Sequence, residues 1–316
     1  MSSAIQTQLS EFCSDVIAGL TNEGQKKLAP KYFYDDLGSK LFEAITLLPE
    51  YGLSRADSRV LARCAAPVAR ELGSPCIVAE LGSGSGRKTS HILAAIGEPD
   101  LHYYPIDVSA EALNSCCNEL NTFATVEEIH AEYFQGLARL SRLRPREGRL
   151  LLLFVGSSVG NFEPGERREF FHRLHGSLRP GDLFLLGADL VKAPERMIAA
   201  YDDPTGVTAA FNLNLLARIN RELHANFDLR SFAHQAIWNS GERRIEMHLV
   251  SRDRQQVQLR AIGVSIEFAP GESIWTESSH KFTQRELNDE AAGSGFRVLD
   301  SWVDEQWPFT ETLWQA

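Results

Sequence analysis

The densest chemistry in the chain is a run of ten residues, Glu80-Leu81-Gly82-Ser83-Gly84-Ser85-Gly86-Arg87-Lys88-Thr89, which follows a short apolar stretch and precedes a helical pattern. Glycines at a strand-to-helix corner let the backbone approach a ligand closely, and a helix N-terminus offers unpaired N–H groups to an anion. A nucleotide-like cofactor is expected there. The spacing is G-x-G-x-G, whereas the dinucleotide fingerprint is G-x-G-x-x-G, which weakens a nicotinamide reading. After the next apolar run stands Asp107, a carboxylate placed to accept hydrogen bonds from both hydroxyls of a ribose. Glu80 before the glycines, Gly82 and Gly84 at the turn and Asp107 beyond fit S-adenosylmethionine better than NAD, with Lys88 as the expected partner of a methionyl carboxylate. A purely structural turn would explain the glycines but not the acid after the second strand.

These residues need an alternating scaffold, and the sequence supplies one. Short apolar runs at 76–79, 102–106, 150–155 and 183–186, with a weaker one at 126–130, are separated by helical spacing such as Phe170, Phe171, Leu174 and Leu178, which Pro180-Gly181 then ends. That rhythm predicts an α/β fold with a doubly wound parallel sheet, its strands apolar throughout because helices cover both faces. Past Lys192 the pattern changes. A helix is expected over 207–223, followed by period-two segments at 233–238, 243–250, 257–268 and 273–279, with a turn at Asn239-Ser240-Gly241. The stretch 284–316 reads as a helix and two strands returning to the first sheet, and the first 55 residues as mostly helical, with Leu41, Phe42, Ile45 and Leu48 on one face. We therefore expect a Rossmann-like sheet over 56–191 and 283–316, with an inserted α+β substrate-binding domain over 1–55 and 192–282.

Composition narrows the function. The 316 residues are 43% hydrophobic and 23% charged with net charge −10, which suits a globular small-molecule enzyme and argues against nucleic acid or an anionic membrane as partner. The longest strictly apolar run, 150–155, is far too short for a bilayer span, and the N-terminal segment, with Glu11 and Asp15, does not read as a targeting peptide, so a cytoplasmic monomer is expected. Cys13, Cys64, Cys76, Cys116 and Cys117 contain no Cys-x-x-Cys and read as reduced thiols. His172 and His175 stand three apart on a helix, but without a third ligand they are expected to face solvent, and Asp202-Asp203 to be a solvated loop pair; no metal is expected.

A wider set of motifs carries a resemblance. Pro30-Lys31-Tyr32-Phe33-Tyr34-Asp35, Leu48-Pro49-Glu50-Tyr51, the 80–89 loop, Gly156-Ser157-Ser158-Val159-Gly160-Asn161, Asp189-Leu190-Val191-Lys192, Tyr201-Asp202-Asp203, residues 206–212, Arg244-Ile245-Glu246-Met247 and residues 276–282 resemble the L-histidine Nα-methyltransferases of ergothioneine biosynthesis, over nearly the whole chain. The resemblance implies that Tyr51, Asn161 and Tyr201 hold the α-carboxylate and amine of histidine, that Glu277 and Ser279 contact its imidazole, and that Met247 packs on the ring. It places Tyr34 near the meeting point of cofactor and substrate. Asn161 and Tyr34 are thus the expected catalytic residues, the asparagine carbonyl or a tyrosine hydroxyl orienting the amine lone pair. Where the family usually has an Asp-Phe pair for adenine, this chain has Glu132-Tyr133, and Gly52 follows Tyr51 where a second tyrosine is common.

Seen alone, each of the three tyrosines would more often be a core residue, roughly two times in three; Met247 would be a core filler and Glu277 a solvated strand residue. Motif context reverses this. The resemblance implies in-line attack of an amine on the donor's methyl, repeated until the trimethyl betaine hercynine has no lone pair left. The alternatives are methylation of another amino acid, an NAD-dependent dehydrogenase, and a catalytically silent binding protein, the last disfavoured by retention of Asn161 and Tyr201.

Overall fold

A computed structural model describes residues 3–316, with side chains from Glu11 onward. The chain divides into two compact units, one formed by the segment up to Tyr51 with Ala193–Ser279, the other by Gly52–Lys192 with His280–Ala316. The sequence put the crossings at 55/56, 191/192 and 282/283. The difference has local causes. Gly52–Leu72 is one continuous helix, and residues 280–282 run beside Asp189–Leu190, with Phe282 N–H donating to Asp189 O and a bridge between Leu190 and Phe282.

The second unit is an eight-stranded sheet. Its order is Arg297–Asp304, Phe309–Gln315, Leu183–Asp189, Arg149–Phe154, Cys76–Leu81, His102–Asp107 and Thr125–Val126, with Ile129–His130 also paired to His102–Asp107. All pairings are parallel except those of the last two strands of the chain, which add antiparallel to Leu183–Asp189. Alternate residues of each strand feed two cores. Ile77, Ala79, Leu150 and Leu152 pack with Leu137, Phe170 and Leu287 on one face, while Val78, Leu151 and Leu153 pack with Leu61, Ile92 and Leu120 on the other. Both faces being covered, the central strands have no solvent side, which is why they read as unbroken apolar runs. The weak segment at 126–130 is two separate two-residue strands.

The first unit holds a four-stranded sheet, ordered Lys26–Lys27, Ser273–His280, Arg244–Ser251, Phe232–Asn239, and the helices Ser3–Leu20, Asp36–Leu47, Pro194–Tyr201 and Val207–Leu223. The segment expected as one strand at 257–268 is instead a hairpin, Gln255–Leu259 against Val264–Phe268, because Gly263 takes φ +67 at its turn. Among the described residues no helix is long and apolar enough to cross a membrane.

Candidate active site

The strand order of the second unit reverses between Cys76–Leu81 and Arg149–Phe154, and open α/β sheets bind ligands at such a point, beyond the carboxyl ends of the strands. Two loops emerge there, the glycine run after the first strand and Gly156–Asn161 after the second. Gly82, Gly84 and Gly86 all have positive φ, +66, +53 and +69. Gly86 is also a close approach: a Cβ there would lie 2.6 Å from Cys116 Sγ. The helix expected directly after the glycines begins only at Ser90 and is seven residues long, because turn bonds from Gly86 N–H to Ser83 O and Thr89 N–H to Gly86 O occupy the corner.

Asp107 accepts N–H bonds from Gly84 (3.1 Å) and Ser109 (2.9 Å), which tie it to the loop. Burial holds its carboxyl above the usual value, opposed by those donors. Glu80 sits inside the unit, accepting from Thr89 Oγ1 (2.6 Å) and Tyr103 Oη (2.5 Å), and burial pushes it up to about 7. It braces both ends of the loop from within. Tyr133 packs edge-on against Phe154, ring centroids 5.5 Å apart, and its hydroxyl lies 3.3 Å from where a Gly82 Cβ would stand; Glu132, exposed, is the residue before its helix. Lys88 forms an ion pair with buried Asp57, a partner the sequence did not suggest, and keeps 30% of its side chain exposed. A glycine-rich loop, a tethered carboxylate and a part-exposed ammonium fit an adenosyl amino acid donor: ribose hydroxyls for the one, a carboxylate for the other.

Asn161 ends the 3-10 turn Ser158–Asn161, set by Ser157 at φ +66, whose Oγ accepts the Asp189 N–H at 2.9 Å. Gly160 is needed beside it, since a Cβ would lie 2.9 Å from His280 O.

The first unit has its own pocket, about 290 Å³ including its open mouth, lined by Tyr34, Phe42, Ile45, Tyr51, Ala200, Tyr201, Thr208, Phe211, Met247 and Glu277. Five of the sequence-designated residues thus meet in one cavity. A sixth, Ser279, touches it through a 2.8 Å hydrogen bond to Tyr201 Oη. Asn161 belongs to the other unit and does not line this pocket.

Local rules place each wall. Asp35 caps the helix Asp36–Leu47 by accepting Gly38 N–H at 2.7 Å, and it also accepts from Asn214 Nδ2 at 2.7 Å, so Tyr34 is pinned between cap and helix. Tyr51 meets Tyr201 edge to face at 6.1 Å, and Phe42 bridges Tyr34 and Tyr51 at 5.6 and 6.3 Å. Met247 and Glu277 stand on adjacent strands, locked by Thr276 Oγ1 donating to Met247 O at 3.0 Å. Behind Tyr201, its carbonyl accepts from His234 Nε2 at 2.8 Å, and His234 Nδ1 accepts from Asn212 Nδ2 at 2.9 Å.

Phe42, Ile45, Thr208 and Phe211 were not designated as site residues. Ile45 was legible only as part of a helix face, and Phe42, Thr208 and Phe211 sat inside motifs that carry the resemblance, so no separate signal marked them as walls. Two expectations fail. Asp203 is buried, not solvated: it caps Val207–Leu223 by accepting from Val207 N–H (3.1 Å) and Thr208 N–H (2.7 Å). His175 is half-buried, edge-on to Phe296 at 5.0 Å, although His172 is exposed as expected. Among the described residues no group of His, Cys, Asp and Glu could hold a metal.

A doubly wound sheet with a glycine loop and a carboxylate tethered to it, joined in one chain to an α+β unit holding a polar aromatic pocket, is the architecture of a methyltransferase. The family model described as histidine-specific methyltransferase, SAM-dependent, matches residues 12–316, and the chain belongs to that family. It is 43% identical over 301 residues to the histidine N-alpha-methyltransferase of Mycobacterium tuberculosis (strain CDC 1551 / Oshkosh), covering 95% of this chain and 93% of that one. Ergothioneine biosynthesis protein 1 of Schizosaccharomyces pombe is 26% identical over 288 residues, 87% of this chain and 37% of its own length. A glycopeptide N-methyltransferase solved with S-adenosylmethionine superposes with a TM-score of 0.41 at 15% identity, over 82% of this chain and 94% of that one.

Proposed function

We propose that this enzyme methylates the α-amino group of L-histidine, three times in succession, to give the trimethyl betaine hercynine, a step of ergothioneine biosynthesis. The observation that carries the reading is the gathering of Tyr51, Tyr201, Met247 and Glu277 in one small pocket. Tyrosine hydroxyls hold a carboxylate without the desolvation cost of a buried cation, and Glu277 accepts the imidazole N–H. A carboxylate that accepts an N–H favours the imidazole over a purely apolar side chain. Ser279 completes the imidazole contact and Met247 covers the ring.

S-adenosylmethionine, when bound, supplies an electrophilic methyl on a sulfonium. Asp107 would take its ribose, the backbone at Gly82 and Gly84 its close approach, Lys88 its carboxylate, and Glu132 and Tyr133 its adenine. Asn161 and Tyr34 orient the amine lone pair, so that alignment and exclusion of water provide most of the rate. Each product up to the dimethyl form retains a lone pair; the trimethyl form has none. We take the working unit to be a single chain in the cytoplasm, where the five free thiols stay reduced.

The test is product mass after incubation with S-adenosylmethionine and histidine, beside parallel reactions with tryptophan, tyrosine and phenylalanine. Only a histidine product 42 mass units heavier, about three methyl-for-hydrogen exchanges, supports the full reading. A monomethyl end point overturns the trimethylation. Glu277→Ala collapses histidine binding; indifference to it would turn the reading toward another amino acid.

A further inference from the structure

The second unit buries three carboxyl groups around one ammonium. Asp57 comes from the helix Gly52–Leu72, Glu80 from Cys76–Leu81 and Glu311 from Phe309–Gln315, and Lys88 lies among them. Asp57 and Glu311 are 0% exposed. Asp57 Oδ2 pairs with Lys88 Nζ, but Asp57 Oδ1 and both oxygens of Glu311 have no donor in reach. Each carboxyl thus has an orphaned edge, and the helix that carries Asp57 packs on the strand that carries Glu311.

Two ionised carboxylates have no proton with which to bond, and they repel in a low dielectric. One proton between them removes the repulsion and satisfies both orphaned edges. Asp57 Oδ2 is already paired with Lys88, whereas neither oxygen of Glu311 has a partner, so the proton belongs on Glu311. Burial pushes the Glu311 acid far above the ordinary carboxyl value, and the charge of Asp57 pushes the same way against the pull of Lys88. Gly187 leaves the space that this carboxyl occupies, since a Cβ there would lie 2.6 Å from Glu311 Oε1.

We propose that Glu311 is a positioning residue for the methyl donor: as a neutral acid it shares its proton with Asp57, leaving Asp57 to hold Lys88 as the cation that meets the donor's carboxylate. The role of Lys88 rests on the proposed function; the state of Glu311 does not. Were Glu311 ionised, a second negative charge would oppose Lys88 and repel the incoming anion. The other titratable groups facing this cluster are Glu80, held by Thr89 and Tyr103, and Cys64 on the helix, while Cys116 lies on the Tyr103 side of Glu80.

The experiment uses the full chain. In the unliganded wild type at neutral pH, infrared difference spectra against Glu311→Gln should show a protonated-carboxyl C=O band that the variant lacks. By calorimetry, Glu311→Gln, a neutral isostere able to donate to Asp57, retains most of the affinity for S-adenosylhomocysteine, whereas Glu311→Ala loses on the order of tenfold by leaving Asp57 Oδ1 unpaired. Raising the pH weakens the wild type as the shared proton leaves, and Glu311→Gln lacks that component. Absence of the band difference overturns the proposal, as does loss of affinity in Glu311→Gln as severe as in Glu311→Ala with both variants melting like wild type. If Glu311→Ala does not fold, the band and the pH dependence of Glu311→Gln decide it. Failure of the wild type to bind S-adenosylhomocysteine refutes the donor reading instead, and the band still reports on Glu311.

Discussion

The hydroxyl of Tyr201 lies 2.8 Å from Oγ of Ser279, and both groups are buried. One residue ends the helix Pro194–Tyr201 and the other lies in the strand Ser273–His280, so this bond ties the helix to the strand. Tyr201→Phe and Ser279→Ala should each lower kcat/KM for histidine by about 5- to 10-fold, the net worth of a buried hydrogen bond of about 1 kcal/mol plus the penalty on the abandoned partner. The double variant should be little worse than the poorer single one. Steady-state kinetics on the four proteins measures that coupling; full additivity would show that the bond has no role.

His234 makes the stability of this wall sensitive to pH. Its Nε2–H donates to Tyr201 O while Nδ1 accepts from Asn212, so both nitrogens are committed in the neutral ring. Burial lowers its pKa below the ordinary 6.5, against the Tyr201 carbonyl and the charges of Asp202 and Asp203. The unfolded chain therefore binds this proton at higher pH than the folded one. The stabilising contribution is complete above about 6.5 and is lost as pH falls from there toward the folded value. His234→Gln keeps a donor for Tyr201 but does not titrate. Its melting temperature should fall less between pH 8 and 5 than that of wild type, with a remaining slope from His248, whose pKa burial also lowers.

Arg144 and Asp182 test what holds the parallel sheet. The guanidinium donates to both carboxylate oxygens, at 2.6 and 2.9 Å, with both side chains almost fully buried, and Asp182 also accepts the N–H groups of Leu150 and Arg179 at 3.0 and 2.7 Å. Asp182 thus anchors the start of Arg149–Phe154 beside Leu183–Asp189. Removing one partner strands a buried charge, and Arg144→Ala should cost roughly 3–5 kcal/mol. Arg144→Lys, with no planar fork, recovers only part of it. Denaturant melts followed by circular dichroism give the ranking, and an Arg144→Ala midpoint equal to wild type would show the pair to be idle.

The architecture was largely legible, because periodicity encodes burial. Strands covered on both faces must be apolar throughout, and the runs at 150–155 and 183–186 announced themselves for that reason. The place of Asp107 was legible too, since it ends a strand and ties back to the glycine loop at Gly84. What stayed hidden depends on contacts between residues distant in sequence. Nothing near Lys88 in the chain names Asp57, and nothing near Asp57 names Glu311; the helix Gly52–Leu72 and the final strand had to be folded against each other first. Asp203 misled for a related reason. Two adjacent acids look the same whether solvated or capping, and only the helix beginning at Val207 tells them apart.

The glycine loop offers the sharpest separation between strain and steric exclusion. Gly84 and Gly86 both have positive φ, so alanine at either costs about 1 kcal/mol of backbone strain. At Gly84 the new methyl would meet nothing within 4 Å, but at Gly86 it would lie 2.6 Å from Cys116 Sγ and 2.7 Å from Leu120 Cδ1, in the core under the helix Ala110–Leu120. Gly84→Ala should therefore fold with a small loss of stability, and lose affinity for S-adenosylhomocysteine only insofar as the donor approaches that open face. Gly86→Ala must displace packed side chains, and overpacking of this kind adds about 1–3 kcal/mol. Paired thermal melts and calorimetry distinguish the two. Equal melting temperatures would mean that Cys116 and Leu120 yield freely, and that the third glycine serves the ligand instead of the core.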